Sequence, residues 1–327
     1  MSTSTSRVLL SLVVAATACR RPSDPRPSES GGRVLVSAVV PTGVPLLSMS
    51  ASELRVVPPK EGWALGRVSW VAVDRAGLVY LIQRGDQADP IVVIDRAGRV
   101  VRSWGRGLYV LPHGIRVDLD GNVWTTDAST SIVRKFSPDG TLLLTITVGD
   151  VPASCLARAR TCGTTDVGFG PNGHVYVTDG YANARVLEYA ANGDKVRQWG
   201  TPGSGPGQFN LPHSIAIDDG IIYIADRGNS RVQRFDLEGR FLSEWPVPGN
   251  PFSLQLANGT LWVDIARREA SGTLQPTLAK MELRTGRVLG IGNVPGGHGI
   301  AALARGDTIV MDSASTAFLV TVGSPRP

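Results

Sequence analysis

Short apolar runs alternating with polar positions fill the chain from about residue 51 to its end. Runs such as WVAVD, GIRVD and SIAID each precede a turn glycine, and a second β-rich run follows it. The copies read AGLVY (Gly77, Tyr80), DGNVW (Gly121, Trp124), NGHVY (Gly173, Tyr176), DGIIY (Gly220, Tyr223), NGTLW (Gly259, Trp262) and RGDTI (Gly306, Ile309). The glycines are spaced 44, 52, 47, 39 and 47 residues apart. Alternation with period two predicts strands, and Asp-Gly or Asn-Gly between two strands predicts a hairpin. The second run often ends in aspartate: Asp127, Asp179, Asp226, Asp264 and Asp312. A third run (IVRKF, RVLEY, RVQRF) and a fourth (VRQWG, FLSEW) complete each unit. Four strands per unit and six units predict an all-β chain, a six-bladed β-propeller over residues 51–327. A strand near Leu54–Val57 is expected to complete the last blade and close the ring, which removes an open sheet edge. No helical segment of any length is expected.

The pattern breaks at the N-terminus. MSTSTSR is followed by the apolar run VLLSLVVAATA (8–18), too short to span a bilayer comfortably, and then by Cys19. Thr17 and Ala18 directly before a cysteine resemble a bacterial lipobox, with Ala16 where leucine is usual. Residues 1–19 are therefore expected to be a signal segment with Cys19 lipidated. The alternative is an ordinary secretory signal cleaved near Ala18. Both put the mature chain in the cell envelope or beyond. Residues 20–50, opening RRPSDPRPSESGG, are expected to be a polar tether. Of three cysteines, Cys155 and Cys162 then remain, close together in a loop in an oxidising compartment, and a local disulfide is expected.

Composition adds little. The chain carries 33 basic and 28 acidic residues, a net charge of +5, and all but four of the basic residues are arginine. They are scattered rather than clustered, so no nucleic-acid partner is expected. A monomer is expected, touching a membrane only through its anchor.

The chain has only four histidines. His113 and His298 lie eight residues before their turn glycines and His213 seven, in blades 2, 4 and 6. At that phase blades 1, 3 and 5 carry Ser69/Trp70, Thr165/Asp166 and Pro251/Phe252. Alternate blades are about 120° apart around the axis, so three imidazoles can converge on the central channel. Three histidines with an open position are the inventory of a catalytic Zn²⁺ site. His174, one residue after Gly173, is expected to be a solvent-exposed turn residue.

WGTPGSGPGQFNLPHSIAID and IADRGNSRVQRFDLEGRFL have the wording of NHL repeats. Five strings, VAVDRAGLVYLIQRGD (71–86), LPHGIRVDLDGNVWTTD (111–127), VTDGYANARV (177–186), GPGQFNLPHSIAI (205–217) and IADRGNSRVQRF (224–235), resemble a narrower group. These are the peptidyl-α-hydroxyglycine α-amidating lyases, the lyase domain of peptidylglycine α-amidating enzymes. The resemblance implies zinc on His113, His213 and His298, a catalytic Tyr181 in DGYANAR, and active-site arginines at Arg84 and Arg227. It implies a substrate with an α-hydroxyglycine-like end, cleaved to an amide and glyoxylate. It also implies Ca²⁺ near the axis, held by the backbone carbonyls of Val71 and Ile115 and by an aspartate after the third histidine. Here that position is Gly299, which removes the carboxylate and weighs against calcium. Gly296-Gly297 replace the family's Met-Pro. Ala182 replaces the cysteine that pairs with the family's counterpart of Cys162, leaving Cys155 as the substitute. The principal alternative is a non-catalytic NHL propeller that binds a protein or small ligand. A metal-dependent lactonase would need a carboxylate- and Asn-rich calcium shell, which three histidines do not supply.

Overall fold

The computed structural model describes residues 43–156, 161–269, 271–303 and 308–323. Cys19, residues 20–42 and the sixth turn glycine, Gly306, lie outside the described residues.

Six four-stranded antiparallel sheets follow one another in chain order. Blade 1 is Val68–Val73, Val79–Gln83, Ile91–Ile94 and Val100–Trp104. Blade 2 is Pro112–Val117, Val123–Asp127, Ile132–Phe136 and Leu142–Thr147. Blade 3 is Asp166–Phe169, Val175–Asp179, Arg185–Tyr189 and Lys195–Trp199. Blade 4 is Pro212–Asp218, Ile221–Asp226, Arg231–Asp236 and Phe241–Pro246. Blade 5 is Asn250–Ala257, Thr260–Arg268, Leu274–Glu282 and Val288–Asn293. Blade 6 is Ile300–Ala302, Thr308–Ser313 and Thr316–Val322, closed by the early strand Met49–Leu54. The first strand of each blade touches the first strands of its neighbours, so these six strands line the axis.

Local chemistry explains the hairpins. The five described turn glycines, Gly77, Gly121, Gly173, Gly220 and Gly259, all have φ between +67° and +85°, where a Cβ is strained. The inner strands are buried and the outer ones, such as Lys195–Trp199, are largely exposed. Six apolar clusters follow, one between each pair of adjacent blades. Trp70, Tyr80 and Ile82 of blade 1 pack on Ile115, Val123 and Phe136 of blade 2, for instance. Tryptophans ending the outer strands add a second contact. Trp104, Trp199 and Trp245 lie against the turn glycines Gly140, Gly239 and Gly286 of the next blade, where a side chain would strike the indole.

Two boundaries differ from the sequence reading. The closing strand is Met49–Leu54, paired from Met49 with Val322 to Leu54 with Ala317, rather than Leu54–Val57. Val57 instead bridges to Arg99 of blade 1. The tether also ends earlier than residue 50, because the Leu47 amide donates to the Ile291 carbonyl and its side chain is buried. The apolar pair Leu46-Leu47 signals this, but it stands outside the repeat. Helical structure among the described residues is a single α-turn at Ala153–Leu156 and a 3-10 turn at Arg227–Asn229. No described helix is long and apolar enough to cross a membrane.

Candidate metal centre and active site

The ladder between the first and second strands slips where the histidines stand. In blade 2 the pairing runs from Pro112–Asp127 directly to Ile115–Thr125, leaving His113 and Gly114 unpaired. In blade 4 it passes over His213. The same bulge passes over Ser69 in blade 1 and Phe252 in blade 5. A bulge frees one residue from the pleat and re-aims its side chain. Here four bulges aim their residues at the axis. Gly114 is required by this packing, because a Cβ there would press within 2.7 Å of the Thr165 carbonyl.

His113, His213 and His298 come together on the axis. Their coordinating nitrogens all lie within 4.8 Å of one another, and their ring centroids are 4.7–5.2 Å apart. Each Nδ1 meets a backbone carbonyl of the next blade. His113 reaches Thr165 at 2.8 Å, His213 reaches Phe252 at 2.6 Å, and His298 reaches Ser69 at 2.8 Å. A carbonyl only accepts, so each Nδ1 carries the proton and each Nε2 keeps a free lone pair. Burial first, and neighbouring positive groups second, hold His113 and His213 well below the ordinary imidazole range. Burial and the Arg227 charge bring His298 down to about 3. Three neutral imidazoles, with tautomers locked by carbonyls and lone pairs converging, suit a borderline-soft cation such as Zn²⁺.

The Tyr181 hydroxyl lies 2.8 Å from His113 Nε2 and 3.1 Å from His213 Nε2. One hydroxyl has one proton, so it can satisfy only one of these lone pairs. The unsatisfied contact is the second sign that a cation fits among the three nitrogens. Gly180 lets the tyrosine in, since a side chain there would strike the Pro212 carbonyl. Burial raises the Tyr181 hydroxyl above its usual range, against the pull of Arg227, Arg84 and Arg67. The guanidiniums by themselves therefore leave it a phenol.

Arg84 and Arg227 each follow the end of their blade's second strand, as Tyr181 does. Arg84 Nε donates to the Pro112 carbonyl at 3.0 Å, beside His113. The Arg227 charge acts on Tyr181, and its guanidinium stacks 3.8 Å from the Phe252 ring centroid. Neither forms an ion pair with a carboxylate among the described residues. Asp226 is instead bound by Arg231 at 2.8 Å.

Several site residues are not legible from the repeat. Trp70 is fully buried with its ring centroid 5.4–5.8 Å from all three imidazoles, forming the floor beneath them. Arg67, exposed at the rim, adds a third guanidinium acting on Tyr181. Asp312 accepts the amides of His298 and Gly299 at 2.8 and 2.7 Å and anchors the third histidine, its carboxyl pushed up to about 7 by burial. Asp264 is fully buried, its carboxyl pushed well up by burial, with Oδ2 lacking a hydrogen-bond partner. Gly297 is needed above it, with φ of +147° and no room for a Cβ beside the carboxylate. That accounts for glycine before the third histidine. His174 departs from expectation. Its Nδ1 meets the buried Glu188 carboxylate at 2.7 Å and its side chain is only 30% exposed. It has no part in the axial cluster. Cys162 is disulfide-bonded, while the Cys155 side chain lies outside the described residues.

A family described as a six-bladed beta-propeller matches residues 170–268. Peptidyl-glycine alpha-amidating monooxygenase A of Xenopus laevis is 34% identical over 212 residues, covering 55% of this chain and 22% of that protein. A probable peptidyl-alpha-hydroxyglycine alpha-amidating lyase of Caenorhabditis elegans is 31% identical over 203 residues, 54% of this chain and 57% of the relative. Human NHL repeat-containing protein 3 is 31% identical over 200 residues, 58% of this chain and 57% of that one. The chain thus spans about a fifth of the amidating monooxygenase and little more than half of the other two. A solved streptogramin B lyase, at 16% identity and a TM-score of 0.58, covers 84% of this chain and 98% of its own, and shares the fold. The chain is a six-bladed β-propeller similar, over somewhat more than half its length, to peptidyl-α-hydroxyglycine α-amidating lyases.

Proposed function

We propose that this chain is a zinc-dependent lyase that cleaves a peptidyl-α-hydroxyglycine-like carbinolamide, peptidyl-NH–CH(OH)–COO⁻, into a peptide amide and glyoxylate. One observation carries the reading. Three neutral imidazoles converge from alternate blades, and the Tyr181 hydroxyl stands on two of their free nitrogens.

The reaction removes the hydroxyl proton, turns C–O into C=O, breaks the C–N bond and returns a proton to nitrogen. Zinc held by His113, His213 and His298 would supply Lewis acidity toward the substrate hydroxyl. Tyr181 would be the group that takes the proton, as the phenolate it becomes only with a cation on the three nitrogens. The Arg227 and Arg84 charges favour the phenolate while burial opposes it, so the charge of a zinc ion would be what tips the hydroxyl toward ionisation. Arg84 and Arg227 offer planar forks for the substrate carboxylate. Neither is committed to a protein carboxylate among the described residues, which leaves that role open.

The protein is taken to act outside the cytoplasm as a monomer, anchored by lipid on Cys19, with Cys155 paired to Cys162. Purified chain lacking residues 1–19, given a peptidyl-α-hydroxyglycine, is expected to release glyoxylate and peptide amide in equal amounts. Chelation should stop release and added zinc restore it. Zinc-replete protein that releases neither product overturns the lyase reading.

Acid dependence supplies a separate check. Metal binding needs neutral imidazoles, and burial lowers all three below 6.5 in the folded protein. Protons therefore begin to compete only at a lower pH than for exposed histidine. Bound zinc, measured after gel filtration, is expected to stay level from about pH 7 to about pH 5. Loss centred near 6.5 would contradict it.

A further inference from the structure

Beneath Trp70 the channel holds a second charged cluster. Arg116, from the inner strand of blade 2, reaches across the axis. Its Nε and Nη2 hold the Asp166 carboxylate of blade 3 at 2.9 and 2.6 Å. Nη2 also donates to Ser214 Oγ of blade 4 at 3.1 Å and to the Leu254 carbonyl of blade 5 at 3.2 Å. Nη1 reaches Gln255 Oε1 at 3.4 Å. The guanidinium lies 5.3 Å from the Trp70 ring centroid of blade 1. One side chain therefore ties the inner strands of five blades. Asp166 is fully buried, and its remaining capacity is taken by Ser214 Oγ at 2.7 Å and the Val167 and Ile215 amides at 2.9 and 3.2 Å.

The resemblance implied a calcium ion in this region, on the carbonyls of Val71 and Ile115. Those residues are the direct neighbours of Trp70 and Arg116. The residues present do not suit that ion. Position 299 cannot carry a carboxylate, because a Cβ there would enter the Trp70 indole and lie 2.8 Å from its Cα. The axial carboxylate, Asp166, is already paired, and a guanidinium has no lone pair for a metal. A divalent ion beside Arg116 would also meet like charge in a low-dielectric interior.

We propose that Arg116 is the axial cation of this propeller, standing in for a bound calcium and clamping the floor under the three-histidine site without metal. Six inner strands converge here, and a multivalent centre can tie several of them at once. A planar guanidinium supplies five donors in fixed directions and stacks on an indole. Because the readout is stability, the inference stands or falls apart from the lyase reading.

The test is thermal unfolding of zinc-replete protein freed of calcium, with and without millimolar calcium, together with calcium analysis after gel filtration. The expected result is no retained calcium and no change in Tm. Retained calcium with a Tm rise of roughly 5–10 °C, the effect of a tightly bound ion, would overturn the proposal. Arg116→Met, which leaves Asp166 buried and unpaired, is expected to lower Tm by about 10 °C. A wild-type Tm in that variant would equally overturn it. If Arg116→Met does not fold, Arg116→Lys keeps the charge and loses the fork. It should melt below wild type and still ignore calcium.

Discussion

His213→Ala is expected to take bound zinc from about one per chain to none and to abolish glyoxylate release. The imidazole supplies one of three nitrogens, and its Nδ1 is locked on the Phe252 carbonyl at 2.6 Å. Removing even an outer partner of a metal ligand costs roughly 10–100-fold in affinity or activity, and removing the ligand costs more. The propeller should persist, because the blade 3–4 and 4–5 clusters do not include this side chain. His174→Ala is the matched control, since His174 lies on Glu188 and outside the cluster. It should leave zinc in place. If His213→Ala retains full zinc, the axial cluster is not the metal centre. If the wild type binds zinc yet gives no glyoxylate, the centre stands and the substrate lies elsewhere.

Tyr181→Phe is expected to lower kcat by about 10²- to 10⁴-fold, the range of a positioned proton-transfer group, while zinc content stays at the wild-type level. Phenylalanine keeps the ring edge-on to His113, where the centroids are 5.2 Å apart, and deletes only the hydroxyl on the two Nε2 atoms. A fall in kcat with little change in KM marks an interaction used in the transition state. A binding propeller has no use for that hydroxyl, so unchanged turnover would remove Tyr181 from the chemistry. Lost zinc would instead make it a structural support of the metal centre.

The histidine cluster was legible because its phase is local. Each histidine stands a near-constant distance before a turn glycine, and hairpin register follows from the turn. Arg84, Tyr181 and Arg227 came only from the resemblance of their motifs to the lyase family, and lying just past a strand end does not by itself distinguish them. The bulges that aim His113 and His213 were not, although Gly114 in the PHG string is the residue that allows one of them. His174 was misjudged because turn position implies exposure, while its partner Glu188 comes from the neighbouring strand.

What the chain determines by itself is thus periodic: strands from alternation, six blades from the glycine spacing, and three histidines on alternate blades. These depend on residues close in sequence. The tertiary structure alone decided how the blades are joined at the axis. Arg116 meets a partner 139 residues away, and Trp70 rises under histidines from three blades. It also decided the state of Tyr181, where burial outweighs three guanidiniums. Desolvation sums over every neighbour packed around a group, and those neighbours become known only when the ring has closed.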